Sequence, residues 1–205
     1  RVPLDHLLGE RGGAFRVSQA RLGGGRIHHA MRTVGVARRA FDMMCERALS
    51  RHTQGERLSK KQLVQEMIAE SWLEYEQFRL LVLRTAWKID RHHDYQRVRG
   101  DIAAVKIMLP RVLNNIASRA LQVHGALGVS NEMPFIGMIT AAQSLGIADG
   151  PTEVHKVTLA RHALREHTPT DDLFPTRHIP RLRAEALRRV APILAAQGIE
   201  LDQES

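Results

Sequence analysis

Cysteine is almost absent from this chain of 205 residues, where Cys45 stands alone. An internal disulfide is therefore excluded, and so are the paired cysteines of structural zinc sites. Aromatics make up only 4% of the residues. Ala, Leu, Met and Arg are plentiful instead, a balance that leans toward helix. No uninterrupted apolar run approaches the roughly 18 residues that a membrane-spanning helix needs. Several catalytic signatures are missing as well. There is no H-E-x-x-H and no G-x-S-x-G, and Gly23–Gly25 lack the strand-to-helix setting of a dinucleotide or Walker loop. Eleven histidines are present, but the pairs His28–His29 and His92–His93 would diverge on a helix. His155 and His162 have no carboxylate placed to complete a site, so no metal is expected.

What the chain does have is positive charge, a net +8 with a pI near 10.5, which favours an anionic partner. The charge is spread along the chain without an RNP, zinc-finger or basic-zipper pattern, so nucleic acid is not the expected partner. A small ligand carrying several phosphates fits the charge equally well.

Helical periodicity dominates after a short irregular start. Residues 1–20 hold Pro3, Gly9, Gly12 and Gly13 and read as strand end plus loop. From Arg26, apolar residues at Ile27, Met31, Val34, Ala37, Phe41, Met44 and Ala48 describe one helix face ending near Ser50. A second helix is predicted from about Ser59 to Ile89. Its apolar set (Leu63, Met67, Trp72, Phe78, Leu81) is broad enough for burial on more than one side. A third spans roughly Arg97 to Val123, its stripe of Val105, Met108, Val112, Ile116 and Ala120 continuing through Pro110. A proline inside a continuing period predicts a kink, not an end. Shorter helices follow at about Pro134 to Leu145 and from the Asp149 gap to about Glu166. A proline-containing linker then leads to a basic amphipathic helix. Long helices with short polar connections indicate an all-α, up-and-down four-helix-type bundle.

Four stretches, in order and at compatible spacing, resemble the C-terminal half of flavin-dependent acyl-CoA dehydrogenases. "RVPLDHLLGERGGAF" is similar to the last strand of that family's middle β-domain and the turn after it. "RHTQGERLSKKQLVQEMIAE" resembles the segment R-x-T-F-G-x-x-L-x-x-x-Q. "QVHGALGVSNEMP" resembles Q-x-x-G-G-x-G-[FY] with an acidic residue and Pro beyond. "ADGPTEVHKVTLAR" resembles the Y-E-G-T segment, ending in Ala-Arg, that carries the catalytic base. The resemblance spans roughly residues 1–167. It implies that residues 1–20 end an incomplete β-domain, that 21–168 form the bundle, and that 169–205 are linker and basic C-terminal helix.

The resemblance also implies a chemistry. A carboxylate removes the α-proton of an acyl-CoA thioester while the β-hydrogen leaves as hydride to N5 of FAD, giving a trans-2-enoyl-CoA. The base position is Asp149, and the backbone N–H there is expected to help polarise the thioester carbonyl. Some relatives place the base on the first long helix, where this chain has Gly25, which cannot serve. Arg26 and Gly150 match substrate-site positions. Arg51, Thr53, Gln62, Gln122, Gly125, Pro151 and Glu153 match positions that meet FAD, with Arg51 reaching the pyrophosphate of a neighbouring subunit. Read without the resemblance, Asp149 is a helix cap, Arg26 a solvated helix-start residue, and the others surface or capping residues. Implied partners are acyl-CoA as substrate, electron-transfer flavoprotein as acceptor, and further copies in a homodimer or homotetramer. The implied setting is bacterial cytoplasm, or the mitochondrial matrix or peroxisome of a eukaryote. A second reading stays open: a non-catalytic helical module that keeps the bundle for subunit assembly.

Departures from the family pattern concern the acyl group. Asp149 is one methylene shorter than the usual Glu, and Ala148 replaces the preceding Tyr. Gln54 stands where Phe follows the threonine, and Thr140–Ala141 replace an Arg-Asp pair. Ala-Asp-Gly-Pro marks a sub-branch with Asp as base, linked to branched, long or hydroxylated acyl chains. The chain begins inside the expected last β-strand, so completion of the site is expected to need further domains or another chain. The purified 205-residue chain should accordingly hold little FAD and turn over no acyl-CoA. A yellow one-to-one flavin complex in its absorption spectrum would contradict this.

Overall fold

The computed structural model describes residues 1–199. Its elements are α1 (Ala14–Ser50), a hairpin of β1 (His52–Thr53) and β2 (Glu56–Arg57), α2 (Gln62–His92), α3 (Arg99–His124), α4 (Phe135–Ile147), α5 (Thr152–Leu164) and α6 (Ile179–Ala196). The chain divides into a compact unit ending at Leu164 and a second unit from Arg165 onward.

Within the first unit α3 is the central helix, packed against α1, α2, α4 and α5. It can be central because its apolar residues go round more than one face: Ile102, Val105, Leu109, Val112, Leu113, Ile116 and Ala120 are all buried. The helices around it bring complementary surfaces. α1 contributes Ala30, Ala37, Ala40 and Ala48, small residues that allow close approach, while α2 inserts Phe78 and Val82 and α4 inserts Phe135 and Met138. Helix directions follow from contacts at known ends. Lys88 near the end of α2 bonds Asp101 at the start of α3 at 2.9 Å, and Glu74 of α2 meets Arg119 near the end of α3 at 3.2 Å. The rings of His124 and Phe135 lie 4.7 Å apart where α3 gives way to α4. Tyr95, just before α3, lies against Gly23 early in α1. The order is up, down, up, down, the all-α bundle expected.

Two expectations are corrected. No strand forms in residues 1–13, which hold a 3-10 turn at Leu4–His6, and α1 starts at Ala14 instead of Arg26. The glycine run suggested a break because each interior glycine costs a helix about 1 kcal/mol relative to Ala. Here a Cβ on Gly23 would stand 2.8 Å from the Tyr95 ring, so the missing side chains make room for an aromatic packed across the helix. The second correction concerns α2. Its buried residues are Ser71, Tyr75, Phe78, Val82 and Thr85, a single stripe. Leu63 and Trp72, members of the apolar set expected to be buried, are 71% and 52% exposed, and Leu73, Leu80, Leu83 and Trp87 are exposed with them.

α3 continues through Pro110. The α1–α2 connection is a two-residue hairpin in which Gln54 (φ 52°) and Gly55 (φ 82°) are both left-handed, the geometry that suits a tight turn between twisted strands. In the second unit, α6 has no buried residue. The Phe174 and His178 rings stack at 4.3 Å before it, and Arg181 pairs with Asp172. Residues 200–205 of the expected C-terminal segment lie outside the described residues. Because Leu109 is fully buried among helices that cannot all collapse inward, Leu109→Ala should lower the unfolding free energy by about 2–5 kcal/mol in a denaturant titration.

Candidate active site

The break between α4 and α5 has an irregular backbone. Ala148 is extended (φ −61°, ψ 147°), and Asp149 (φ 58°) and Gly150 (φ 104°) are then both left-handed. Asp tolerates that region better than most side chains. Gly150 is required twice over, since a Cβ there would also come within 3.1 Å of His155 Nε2. Pro151 cannot continue α4, and α5 begins at Thr152.

Three helices hold this turn by its carbonyls. Lys106 Nζ on α3 donates to the carbonyls of Leu145 and Ala148, each at 2.7 Å. Arg26 Nε on α1 donates to the Asp149 carbonyl at 3.0 Å, and His155 Nε2–H on α5 reaches the same oxygen at 3.4 Å. The Asp149 side chain remains 23% exposed, with Oδ2 3.6 Å from His29 Nε2 of α1. It is not spent on capping. The first turn of α5 instead bonds internally, Val154 N–H to the Pro151 carbonyl at 3.1 Å, and the Thr152 hydroxyl donates to the Gly146 carbonyl at 3.1 Å. Burial pushes the Lys106 ammonium and the Arg26 guanidinium below their ordinary values, with the Asp149 carboxylate working in the opposite direction. His155 is pushed down by burial and then by Arg26. The surroundings of the carboxylate are thus cationic and partly dry.

The other predicted residues divide between two ends of the bundle. Gly150, Pro151 and Glu153 stay with Asp149, Glu153 being exposed, 3.8 Å from Lys156, and lining an open groove of about 410 Å³ with Pro110, Arg111, Gly146 and Thr152. Arg26 belongs to this end too, half-buried and bonded in mid-helix, so it is not a solvated helix-start residue. Arg51 caps the far end of the same helix, 25 residues further on, roughly 38 Å away at 1.5 Å per residue. Gln122 lies 16 residues beyond Lys106 on α3, roughly 24 Å in the same direction. Arg51, Gln62, Gln122 and Gly125 are all exposed and Thr53 is half-buried. Gly125 is left-handed (φ 66°), with open space where a Cβ would stand.

Sequence reasoning missed Lys106, His29 and His155. The available signal for Lys106 was a lone charge in the apolar stretch "IAAVKIMLP". Nothing local marks His29, since its partner lies 120 residues away.

Residues 12–164, which carry α1 to α5, match the family model described as acyl-CoA dehydrogenase, C-terminal domain. The chain belongs to the acyl-CoA dehydrogenase family. It is 43% identical over 170 residues to the Mycobacterium tuberculosis protein named "Probable acyl-CoA dehydrogenase FadE2", covering 83% of this chain and 42% of that protein. It is 42% identical over 166 residues to acyl-CoA dehydrogenase family member 11 of Rattus norvegicus, covering 81% and 21%. The structure is similar to butyryl-CoA dehydrogenase from Megasphaera elsdenii, with a TM-score of 0.73 and 29% identity over 80% of this chain and 42% of that one. The chain thus spans less than half the length of these relatives. As an acyl-CoA dehydrogenase C-terminal domain it contains the bundle, and α6 lies beyond the matched region.

One consequence is measurable as stability. The folded-state value of His155 is depressed below the ordinary 6.5, so below about that pH the unfolded state binds the extra proton first. Stability is full above the ordinary value and is lost as pH falls toward the depressed one. The melting temperature should drop between pH 7 and pH 5, and His155→Gln should flatten that drop in thermal melts at matched pH.

Proposed function

We propose that this chain is the C-terminal catalytic and oligomerising part of an FAD-dependent acyl-CoA dehydrogenase, with Asp149 as the base that removes the substrate α-proton. The observation that carries the reading is the state of Asp149. It is a carboxylate in a strained left-handed turn, held by its backbone and left partly open instead of capping a helix. Strained backbone kept in place by several neighbours is a common feature of reactive positions.

The residues fit the implied cofactor by their donor chemistry. Arg51 offers a guanidinium suited to a pyrophosphate. Thr53, Gln62 and Gln122 offer a hydroxyl and two amides, and Gly125 an uncovered backbone. These sit at the end of the bundle remote from Asp149, which agrees with their serving a flavin other than the one beside Asp149 in the same chain. That arrangement requires more than one subunit. The exposed stripe of Trp72, Leu73, Leu80, Leu83 and Trp87 on α2 supports it, being an apolar face of the kind buried in obligate assemblies.

In the reaction, bound flavin would accept the β-hydrogen as hydride. Asp149 takes the α-proton onto a carboxylate oxygen. The Asp149 N–H donates to the thioester carbonyl as enolate character develops, a donor fixed before the reaction begins. Gly150, lacking a side chain, leaves room for the acyl chain. The short Asp149 and the small Ala148 favour a branched or bulky acyl group, and an acceptor such as electron-transfer flavoprotein would reoxidise the enzyme.

Asp149→Asn in the flavin-loaded full-length subunit keeps the shape of the turn and removes the base. Acyl-CoA-dependent dye reduction should fall by about 10²–10⁴-fold with flavin content unchanged. Wild-type turnover in that variant would overturn the assignment.

A further inference from the structure

We propose that Lys106 is a positioning residue for this chemistry: by gripping the Ala148 carbonyl it aims the Asp149 N–H at the thioester and sets the backbone that presents the carboxylate. The inference rests on the reading of Asp149 given above.

Lys106 is the eighth of the 26 residues of the central helix and is only 2% exposed. Among the described residues its ammonium is paired with no carboxylate; its hydrogen-bond acceptors are the carbonyls of Leu145 and Ala148. Both belong to the C-terminal end of α4, where backbone carbonyls have no partner within the helix and a cation is favourably placed. An ammonium in a core is costly, and an apolar residue of similar size commonly packs there at least as well. Stability is therefore a weak reason for a lysine at this position.

Geometry supplies a stronger one. In a planar trans peptide the carbonyl of one residue and the N–H of the next point in opposite directions. The Ala148 carbonyl and the Asp149 N–H belong to one such unit. With that carbonyl drawn 2.7 Å from Nζ on the core side, the Asp149 N–H is turned outward. Arg26 and His155 grip the following carbonyl, that of Asp149 itself, so the peptide units on both sides of the left-handed residue are fixed. Lys106 controls the first of them, which bears the N–H. An apolar replacement leaves the Ala148 carbonyl without its donor, and that peptide can rotate.

The test uses the flavin-loaded full-length subunit with Lys106→Met. Its readouts are steady-state kinetics and the infrared stretch of a bound acyl-CoA labelled with ¹³C at the thioester carbonyl. Loss of an aligned donor should lower kcat by about 10²-fold, leave KM within about threefold, and abolish most of the shift of the carbonyl stretch on binding. A fall in kcat with the shift intact, or no change in either, overturns the proposal. If Lys106→Met does not fold, Lys106→Gln, which keeps two N–H donors, decides by the same two readouts and should retain part of both. Asp149→Asn is the control: it should lose turnover and keep the full carbonyl shift. Wild-type turnover in that control removes the reading of Asp149 as base, whereas an intact shift in the Lys106 variant removes only the role of Lys106.

Discussion

The hydrogen bonds from Lys106 to the carbonyls of Leu145 and Ala148 tie the most buried helix of the bundle to the left-handed turn between α4 and α5. A helix surrounded by four others must be apolar on several faces, and α3 is, its buried ionisable side chains being Lys106 and, near its end, His124. A cation there has to be solvated by the protein, and the carbonyls at the end of α4 are available because that helix stops. The helix end and the buried charge satisfy each other. The turn that follows is consequently built on a rigid element, although its backbone is left-handed at two successive residues.

From that anchor the remaining geometry of the site follows. α1 passes the same end of the bundle and supplies Arg26 to the Asp149 backbone and His29 to its carboxylate. α5 starts there and supplies His155. The helix lengths then place Arg51 and Gln122 at the opposite end. A carboxylate thus stands at one end of the bundle and a polar, glycine-containing surface at the other. α2 carries an open apolar face, and the chain spans less than half the length of the relatives it matches.

Much of the fold was legible because it is written in local terms. Helix periodicity places α2, α3, α4 and α5 within a few residues of where they lie, and the apolar stripe that runs through Pro110 marks a helix that continues past it. The start of α1 was not legible. Gly23 and Gly24 oppose helix by intrinsic preference, and only Tyr95, some 70 residues later, gives them a packing reason. The exposure of Trp72 and Leu63 was not legible for a related cause: periodicity shows that a face is apolar but not that another element of the same chain covers it.

The sequence by itself determined the helical bundle, the break at residues 148–151, the family, and the presence of a carboxylate in that break. These depend on spacing and on short motifs, which are properties of neighbours along the chain. Only the tertiary structure decided what surrounds the carboxylate: a histidine on α1, and a lysine on α3 and an arginine on α1 that grip the backbone rather than the side chain. Hydrogen bonds between residues 39 to 123 positions apart leave no periodic trace, because the alignment of packed helices, and no local preference, brings their atoms within reach.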